Sequence, residues 1–205
     1  MKGNLFVVAA PSGAGKTTLV KALVNALDNI TVSISHTTRL KRPDEVDGIN
    51  YHFVSKNTFE DMIKNHAFLE HATIFDNYYG TSQQWVKDTL DQGIDVILEI
   101  DWQGHHQIKQ LFPESLGIFI LPPSLADLRD RLTKRNQDHP EVIEQRLADA
   151  KKTLSHIHEF NYVVVNDDFN HALSDLQAIV KAARLLQPHQ TSRFENLINK
   201  FSELP

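Results

Sequence analysis

Ala10-Pro11-Ser12-Gly13-Ala14-Gly15-Lys16-Thr17-Thr18 stands between the apolar run Leu5-Phe6-Val7-Val8-Ala9 and a stretch with Leu19, Val20, Leu23 and Leu27 at helical spacing. A short continuous apolar run of this kind is expected of a strand buried on both faces of a parallel sheet. The nine residues match the phosphate-loop pattern G-x-x-x-x-G-K-[ST], with Ala10 at the first glycine position. Small residues let backbone N–H groups wrap a phosphate, and the helix that follows points its positive end at the same anion. Ser12, Gly13, Ala14, Gly15, Lys16, Thr17 and Thr18 are therefore candidate contacts to a nucleoside triphosphate. Lys16 is expected to reach the β- and γ-phosphate oxygens, and the Thr17 hydroxyl to ligate Mg²⁺. The competing reading is a plain glycine-rich turn between strand and helix. Ala10 is compatible with the loop only if position 10 is not left-handed.

Outward from the loop, strands alternate with helices. Apolar strands are expected at 31–35, 95–100, 116–121 and 162–165, with helices at 17–27, from Ser82 to Gly93, through Ile108 and Leu111, and at 170–186. This pattern predicts an α/β fold, a parallel sheet core covered by helices. Two segments differ from the rest and read as insertions. Residues 36–81 carry short mixed strands at 51–54 and 68–74 around a helix with Phe59, Met62 and Ile63 on one face. Residues 125–158 form a charged helical pair, broken at 136–140, with little core. The expected division is a core of 1–35, 82–124 and 159–205, a mixed α+β substrate-binding subdomain at 36–81, and a helical lid at 125–158. The polar tail is partly helical around 194–201.

The chain has 205 residues, with 41% hydrophobic and 23% charged, so ordinary globular structure is expected. A net charge of −5 argues against a generic nucleic-acid or membrane-surface binder. There is no cysteine, which excludes disulfides, thiolate metal sites and cysteine nucleophiles. The first apolar run is too short for a signal core or a membrane span, and a cytoplasmic protein is the simplest expectation. The eleven histidines are scattered: His105-His106 and His156-x-His158 cannot face one ligand from a helix, so no zinc site is expected.

The acceptor has to be sought elsewhere, because ATPases, GTPases and small-molecule kinases all share the phosphate loop. Arg39 and Arg42, three apart in a polar loop, can close on one phosphate, and Tyr51 can complete the cage. A basic surface loop explains the same residues. Glu99, near the end of a buried strand, sits where a carboxylate orients water on Mg²⁺. Glu70 reads equally as a surface carboxylate at a strand end, Asp101 as a helix N-cap, and Asn166-Asp167 as a turn into the last helix. Arg129, Arg131, Lys134, Arg135 and Arg146 can be a solvated face or cations brought onto a transferring phosphoryl group.

Five further runs decide among these readings: Thr37 to Phe53 (T-T-R-x-x-R-x-x-E-x-x-G-x-x-Y-x-F), Phe68-Leu69-Glu70, Asn77-Tyr78-Tyr79-Gly80-Thr81, Glu99-Ile100-Asp101-Trp102-Gln103-Gly104 and Val165-Asn166-Asp167-Asp168. In this order they resemble the guanylate kinase family over nearly the whole chain. The resemblance implies transfer of the γ-phosphoryl group of ATP to GMP, giving ADP and GDP, with Mg²⁺. It implies that Arg39, Arg42, Tyr51 and Tyr79 hold the GMP phosphate, that Glu70 and Asp101 accept from guanine N1–H and the 2-amino group, and that Ser35 and Thr81 donate to O6. It places Arg135, Arg146 and Arg131 of the lid on the ATP phosphates and Asn166 near the adenine. The catalytic set is then Lys16, Arg39, Arg42, Arg135 and Arg146. At position 99 the family more often has Asp. A buried carboxylate facing adenine would be left unpaired at about 1–3 kcal/mol, so the pair Glu70 and Asp101 favours guanine.

Three rivals remain at this level. A kinase for AMP or UMP would lack the carboxylate pair. A catalytically silent protein-binding module would have lost Lys16, Thr17 or the arginines, and a sugar-phosphate kinase would not need a guanine reader. The number of copies in the assembly is not legible, although Leu197, Ile198 and Phe201 are candidate partner contacts.

Overall fold

The computed structural model describes residues 2–74, 76–134 and 140–202. The chain begins with β1 (Leu5–Ala9), α1 (Lys16–Ala26) and β2 (Ile30–Val32). A smaller unit follows: β3 (His36–Thr37), β4 (His52–Phe53), α2 (Lys56–Lys64), β5 (Phe68–Ile74) and β6 (Asn77–Ser82). The chain then returns through α3 (Gln83–Asp91), β7 (Asp95–Glu99), α4 (Trp102–Leu111) and β8 (Leu116–Leu121). Next come α5 (Leu125–Lys134), α6 (Pro140–Ser155), a 3₁₀ turn at Ile157–Glu159, β9 (Tyr162–Val165) and α7 (Phe169–Arg184). Two short helices, α8 (Gln187–Arg193) and α9 (Glu195–Ser202), end the described chain.

The main sheet is parallel with order β2-β7-β1-β8-β9. It is the α/β core expected from the sequence. Central β1 is buried on both faces, which is why all five of its residues are apolar. Phe6 and Val8 pack with Leu19 and Leu23 of α1 and Leu176 and Val180 of α7. Leu5, Val7 and Ala9 pack on the other face with Val86 and Leu90 of α3 and Ile108 of α4. With β7 and β8 on either side of β1, the strand order reverses at β1, and ligands of open α/β sheets bind at such a point beyond the strand C-termini.

The second sheet has order β4-β3-β6-β5, with β3 parallel to β4 and antiparallel to β6. β5 and β6 form a hairpin whose register shifts between Phe68 and Glu70. Strand alternation sends neighbouring side chains to opposite faces. Phe68 stacks on Phe59 of α2 at 4.4 Å, while Leu69 joins the core beside Val86 and Leu98.

Three features depart from the sequence expectations. β2 ends at Val32, and His36–Thr37 already belongs to the second sheet. β6 is a strand although Asn77 to Ser82 shows no apolar alternation; the β5 backbone and a turn with Asp76 at φ 61° impose it. The α5–α6 pair has its own small core of Leu128, Leu132, Ile143 and Ala150, and Leu128 and Leu132 also lie against Gly13. No described helix is long and apolar enough to cross a membrane.

At the N-terminal end of the sheet, buried Asp95 ties four segments together. Its Oδ1 accepts from the Asn4 N–H (2.7 Å) and Asn4 Nδ2 (2.9 Å), and its Oδ2 from Arg184 Nε (2.7 Å). Arg184 Nη2 donates onward to the carbonyls of Asp28 (2.7 Å) and Asn29 (3.2 Å). Replacing Asp95 by Ala strands these donors, and the expected loss of stability is about 3 kcal/mol. Urea denaturation reads it directly; an unchanged midpoint would show that the ion pair contributes nothing.

Candidate active site

The phosphate loop is built from two left-handed glycines, Gly13 (φ 92°) and Gly15 (φ 91°). Ala10 is not among the positive-φ residues, so its Cβ costs nothing there. The Ala14 carbonyl accepts from Asn166 Nδ2 at 2.7 Å and from Arg131 Nη1 at 3.4 Å, while Arg131 Nη2 donates to the Asn166 carbonyl at 3.1 Å. A Cβ on residue 15 would stand 2.5 Å from Asn166 Nδ2, which gives the glycine a second reason besides its φ. Helices α2, α3, α4 and α7 are capped by Ser55, Ser82, Asp101 and Asp168, but no side chain caps α1. Its first N–H groups are therefore left open to an anion, and the helix dipole favours one there.

Glu99, at the end of β7, faces the start of α1. Thr17 Oγ1 donates to Glu99 Oε2 at 2.8 Å, and Lys16 Nζ stands 4.0 Å from the same oxygen. A hydroxyl and a carboxylate oxygen this close form a hard-oxygen donor set that suits Mg²⁺ completed by water and phosphate. The longer Glu side chain thus still reaches Thr17.

In the acceptor loop, Arg39 lies over the rings of Tyr51 (5.4 Å) and Phe53 (5.8 Å), and Tyr51 meets Tyr79 edge-on at 5.9 Å. Glu45 holds the loop: its Oε1 accepts from Arg39 Nη2 at 2.6 Å and its Oε2 from the Arg42 N–H at 2.9 Å. Burial opposes the charge on Arg39, but the bond to Glu45 and the charges of Glu45 and Tyr79 outweigh it and raise its pKa. The bond from Arg39 holds the Glu45 carboxyl below the ordinary range. Burial raises the Tyr51 phenol, with Tyr79 and the Glu99 carboxylate adding to it, so the phenol stays protonated and can donate. Arg42 itself is exposed.

At the other end of the same unit, Glu70 is buried, with Thr81 Oγ1 donating to its Oε1 at 2.6 Å. Burial pushes the Glu70 carboxyl up to about 7; the Thr81 bond opposes the shift and the Asp101 charge adds to it. Its Oε2 lies where a Cβ on Gly104 would come within 2.7 Å, so glycine lets α4 approach. Asp101 caps α4, with Oδ1 accepting from the Gly104 N–H (3.0 Å) and Oδ2 from Gln103 Nε2 (3.0 Å). Capping thus uses one oxygen and leaves the other to a neutral, displaceable amide. The single hydroxyl proton of Thr81 is given to Glu70. The Ser35 carbonyl accepts from the His52 N–H, which anchors its segment.

From the helical pair, Arg146 Nη1 reaches Ser12 Oγ at 3.3 Å, and Arg129 pairs with Glu144 at 2.7 Å on the outside. Arg135 lies outside the described residues. The structure therefore brings Lys16, Thr17, Glu99, Arg131, Arg146 and Asn166 around one loop, and gathers Arg39, Tyr51 and Tyr79 apart from Glu70, Thr81 and Asp101. Among the described residues no cluster of three or more His, Cys, Asp or Glu is placed to hold a metal ion. Sequence reading passes over Glu45, Gln103 and Gly104. Glu45 stands at the fixed acidic position of the T-T-R-x-x-R-x-x-E run, and that position could have singled it out.

A sequence model of the guanylate kinase family matches residues 2–183. The chain is 56% identical over 196 residues to a guanylate kinase of Saccharophagus degradans, covering 96% of each. It is 52% identical over 202 residues to one of Coxiella burnetii, covering 98% of each. Its fold is similar to the crystal structure of guanylate kinase from Anaplasma phagocytophilum, with a TM-score of 0.76 and 30% identity over 94% of this chain and 96% of that one.

The buried Glu70 carboxyl makes stability depend on pH. Its pKa is raised on folding from 4.5 to about 7, so its contribution is full below 4.5 and is lost as pH rises through 7. Glu70→Gln keeps a neutral hydrogen-bonding group without the titration. Relative to wild type, the variant should therefore gain about 3 kcal/mol between pH 4.5 and 8. Denaturation across that window decides it, and two parallel pH profiles would count against the burial argument.

Proposed function

The chain belongs to the guanylate kinase family, and on that footing we propose how its residues divide the work of moving a phosphoryl group from ATP to GMP. The protein is an ATP:GMP phosphotransferase, a nucleoside monophosphate kinase. ATP binds with its phosphates in the loop from Ser12 to Thr18, on the uncapped N-terminus of α1. Lys16 reaches the β- and γ-phosphates, and Asn166 takes the adenine side of the loop. Thr17 directly, and Glu99 through water, would hold Mg²⁺, which neutralises charge on the β- and γ-phosphates when bound.

The unit of residues 36–81 takes GMP. Arg39, Arg42, Tyr51 and Tyr79 hold its phosphate, with Glu45 keeping Arg39 aimed until the anion arrives. Glu70 and Asp101 accept from guanine N1–H and the 2-amino group, Ser35 donates to O6, and Thr81 joins it when its bond to Glu70 opens. A GMP phosphate oxygen then attacks the γ-phosphorus in line, and ADP leaves. Negative charge spreads over the equatorial oxygens, and Lys16, Arg39, Arg42, Arg135 and Arg146 stabilise it. Residues 125–158 act as the lid that brings Arg131, Arg135 and Arg146 to ATP and excludes water, the competing acceptor. Residues 1–35, 82–124 and 159–205 are the core that carries both, and the cytoplasm, where both substrates circulate, is the compartment.

The observation that carries this reading is the buried pair of a carboxyl and a hydroxyl, Glu70 and Thr81, 2.6 Å apart beside the Asp101 cap. Guanine offers donors at N1 and the 2-amino group to the Glu70 and Asp101 carboxylates, where adenine offers an acceptor and a C–H. A coupled assay of ADP release, offering GMP, AMP, UMP and CMP separately with ATP and Mg²⁺, should show turnover with GMP alone. Comparable turnover with AMP would refute the guanine-reading roles. Arg135→Ala should lower kcat about a hundredfold, as for a lost transition-state donor. An unchanged kcat would remove Arg135 from the catalytic set.

A further inference from the structure

We propose that Gln107 is a specificity-positioning residue: its carboxamide fixes the spacing between the two carboxylates that read the guanine. The inference rests on the assignment of Glu70 and Asp101 to the base. These two residues come from different pieces of the molecule, one from β5 of the small sheet and the other from the N-terminus of α4 in the core. Something has to set their distance, because guanine N1–H and its 2-amino group are adjacent on one rigid edge and must be met together.

Gln107 joins the two pieces directly. Its Nε2 donates to the His71 carbonyl at 2.8 Å, and its Oε1 accepts from the His71 N–H at 3.2 Å. His71 immediately follows Glu70. β5 is an edge strand, paired only to β6 in the order β4-β3-β6-β5, so the groups of His71 that Gln107 takes are those an edge leaves open. Water could satisfy those groups equally well. What the side chain adds is register, since its amide offers one donor and one acceptor in the geometry of another strand.

The rest of the same helix side agrees. Asp101, Gly104 and Gln107 follow at three-residue intervals, so they run down one side of the N-terminal half of α4. Each makes its own contribution. Asp101 presents its carboxylate, Gly104 admits Glu70 Oε2 to a distance that a Cβ would forbid, and Gln107 pins the next residue of the strand. The Gln107 bonds are partly open to solvent, so they act on geometry more than on global stability. Displacement of a hydrogen-bonding group by a fraction of an ångström is enough to lose a discriminating contact.

The test compares GMP with IMP, whose base keeps N1–H and O6 but lacks the 2-amino group. In the wild type kcat/KM should favour GMP because both carboxylates are in place. Gln107→Met keeps length and packing but has neither amide donor nor acceptor, and it should lower the GMP-to-IMP ratio of kcat/KM by about tenfold. KM for ATP and kcat at saturating GMP should stay within about twofold, as the phosphate loop is untouched. Gln107→Ala carries the same expectation if the Met variant folds poorly. A fall in both kcat/KM values together, with the ratio unchanged, would mean a structural role only and would overturn the proposal. Glu70→Gln and Asp101→Asn belong in the same series. If they leave the ratio as in the wild type, the base assignment fails and the proposal with it. If they lower the ratio while both Gln107 variants do not, the positioning role alone is wrong.

Discussion

The amide of Asn166, donating to the Ala14 carbonyl at 2.7 Å, holds the phosphate loop in the shape on which the site depends. Both groups are buried, so breaking the bond would leave an unpaired acceptor at about 1–3 kcal/mol. The bond joins the end of the outermost strand of the main sheet to the loop after the central one. Arg131 donates to both carbonyls and so brings α5 into the same contact. Gly15 has to lack a side chain for Asn166 to come so close, and an α1 without a capping side chain is the outcome. The open helix end is therefore a consequence of packing around Ala14 as much as of local glycine chemistry.

Cations converge here in a chain with a net charge of −5, and their partners explain how they coexist without ligand. Lys16 faces Glu99, Arg39 is paired with Glu45, Arg131 spends its donors on backbone carbonyls, and Arg146 reaches the Ser12 hydroxyl. These partners weaken mutual repulsion among the cations. The base end uses the opposite device. Burial, with the neighbouring Asp101 charge adding to it, lets Glu70 keep its proton up to about pH 7. On the proposed role of Glu70, donors on guanine would favour the ionised form, and binding the base would be linked to release of that proton.

The main sheet was legible because β1 and its neighbours are continuous apolar runs, and a strand buried on both faces has no other way to be written. The phosphate loop was legible because phosphate contact demands small residues at fixed spacing. β6 was not, since half its residues are polar and its strand character comes from β5 across the hairpin. The small core of α5 and α6 was hidden behind the charge of the pair: Leu128 and Leu132 are four apart, but the charged residues around them dominate the composition. At the site, residue identities were readable from motif runs while the contacts between them were not. Nothing in a sequence says that Gln107 meets His71, because that bond joins elements 36 residues apart. Glu45 was readable as an acid in a basic loop, but its two-armed hold on Arg39 and Arg42 depends on how the loop closes.

The two ends of the acceptor unit are fastened to the core to different degrees. At the base end, Leu69 is buried among core residues, Gln83 N–H donates to the Ala67 carbonyl, and α4 lies along β5. At the phosphate end, Leu40 is 89% exposed and Ile49 69%, so the arginine loop buries almost no apolar surface of its own. Its order comes from Glu45 and a few turn hydrogen bonds, each worth about 1 kcal/mol net. Elements held in this way open at lower free energy than a packed core. On the proposed roles, the groups that read the base are the firmly fastened ones and the groups that hold the phosphate are the adjustable ones. Were the fastening reversed, the arginines would meet any monophosphate first and the carboxylates would have no geometry from which to refuse it.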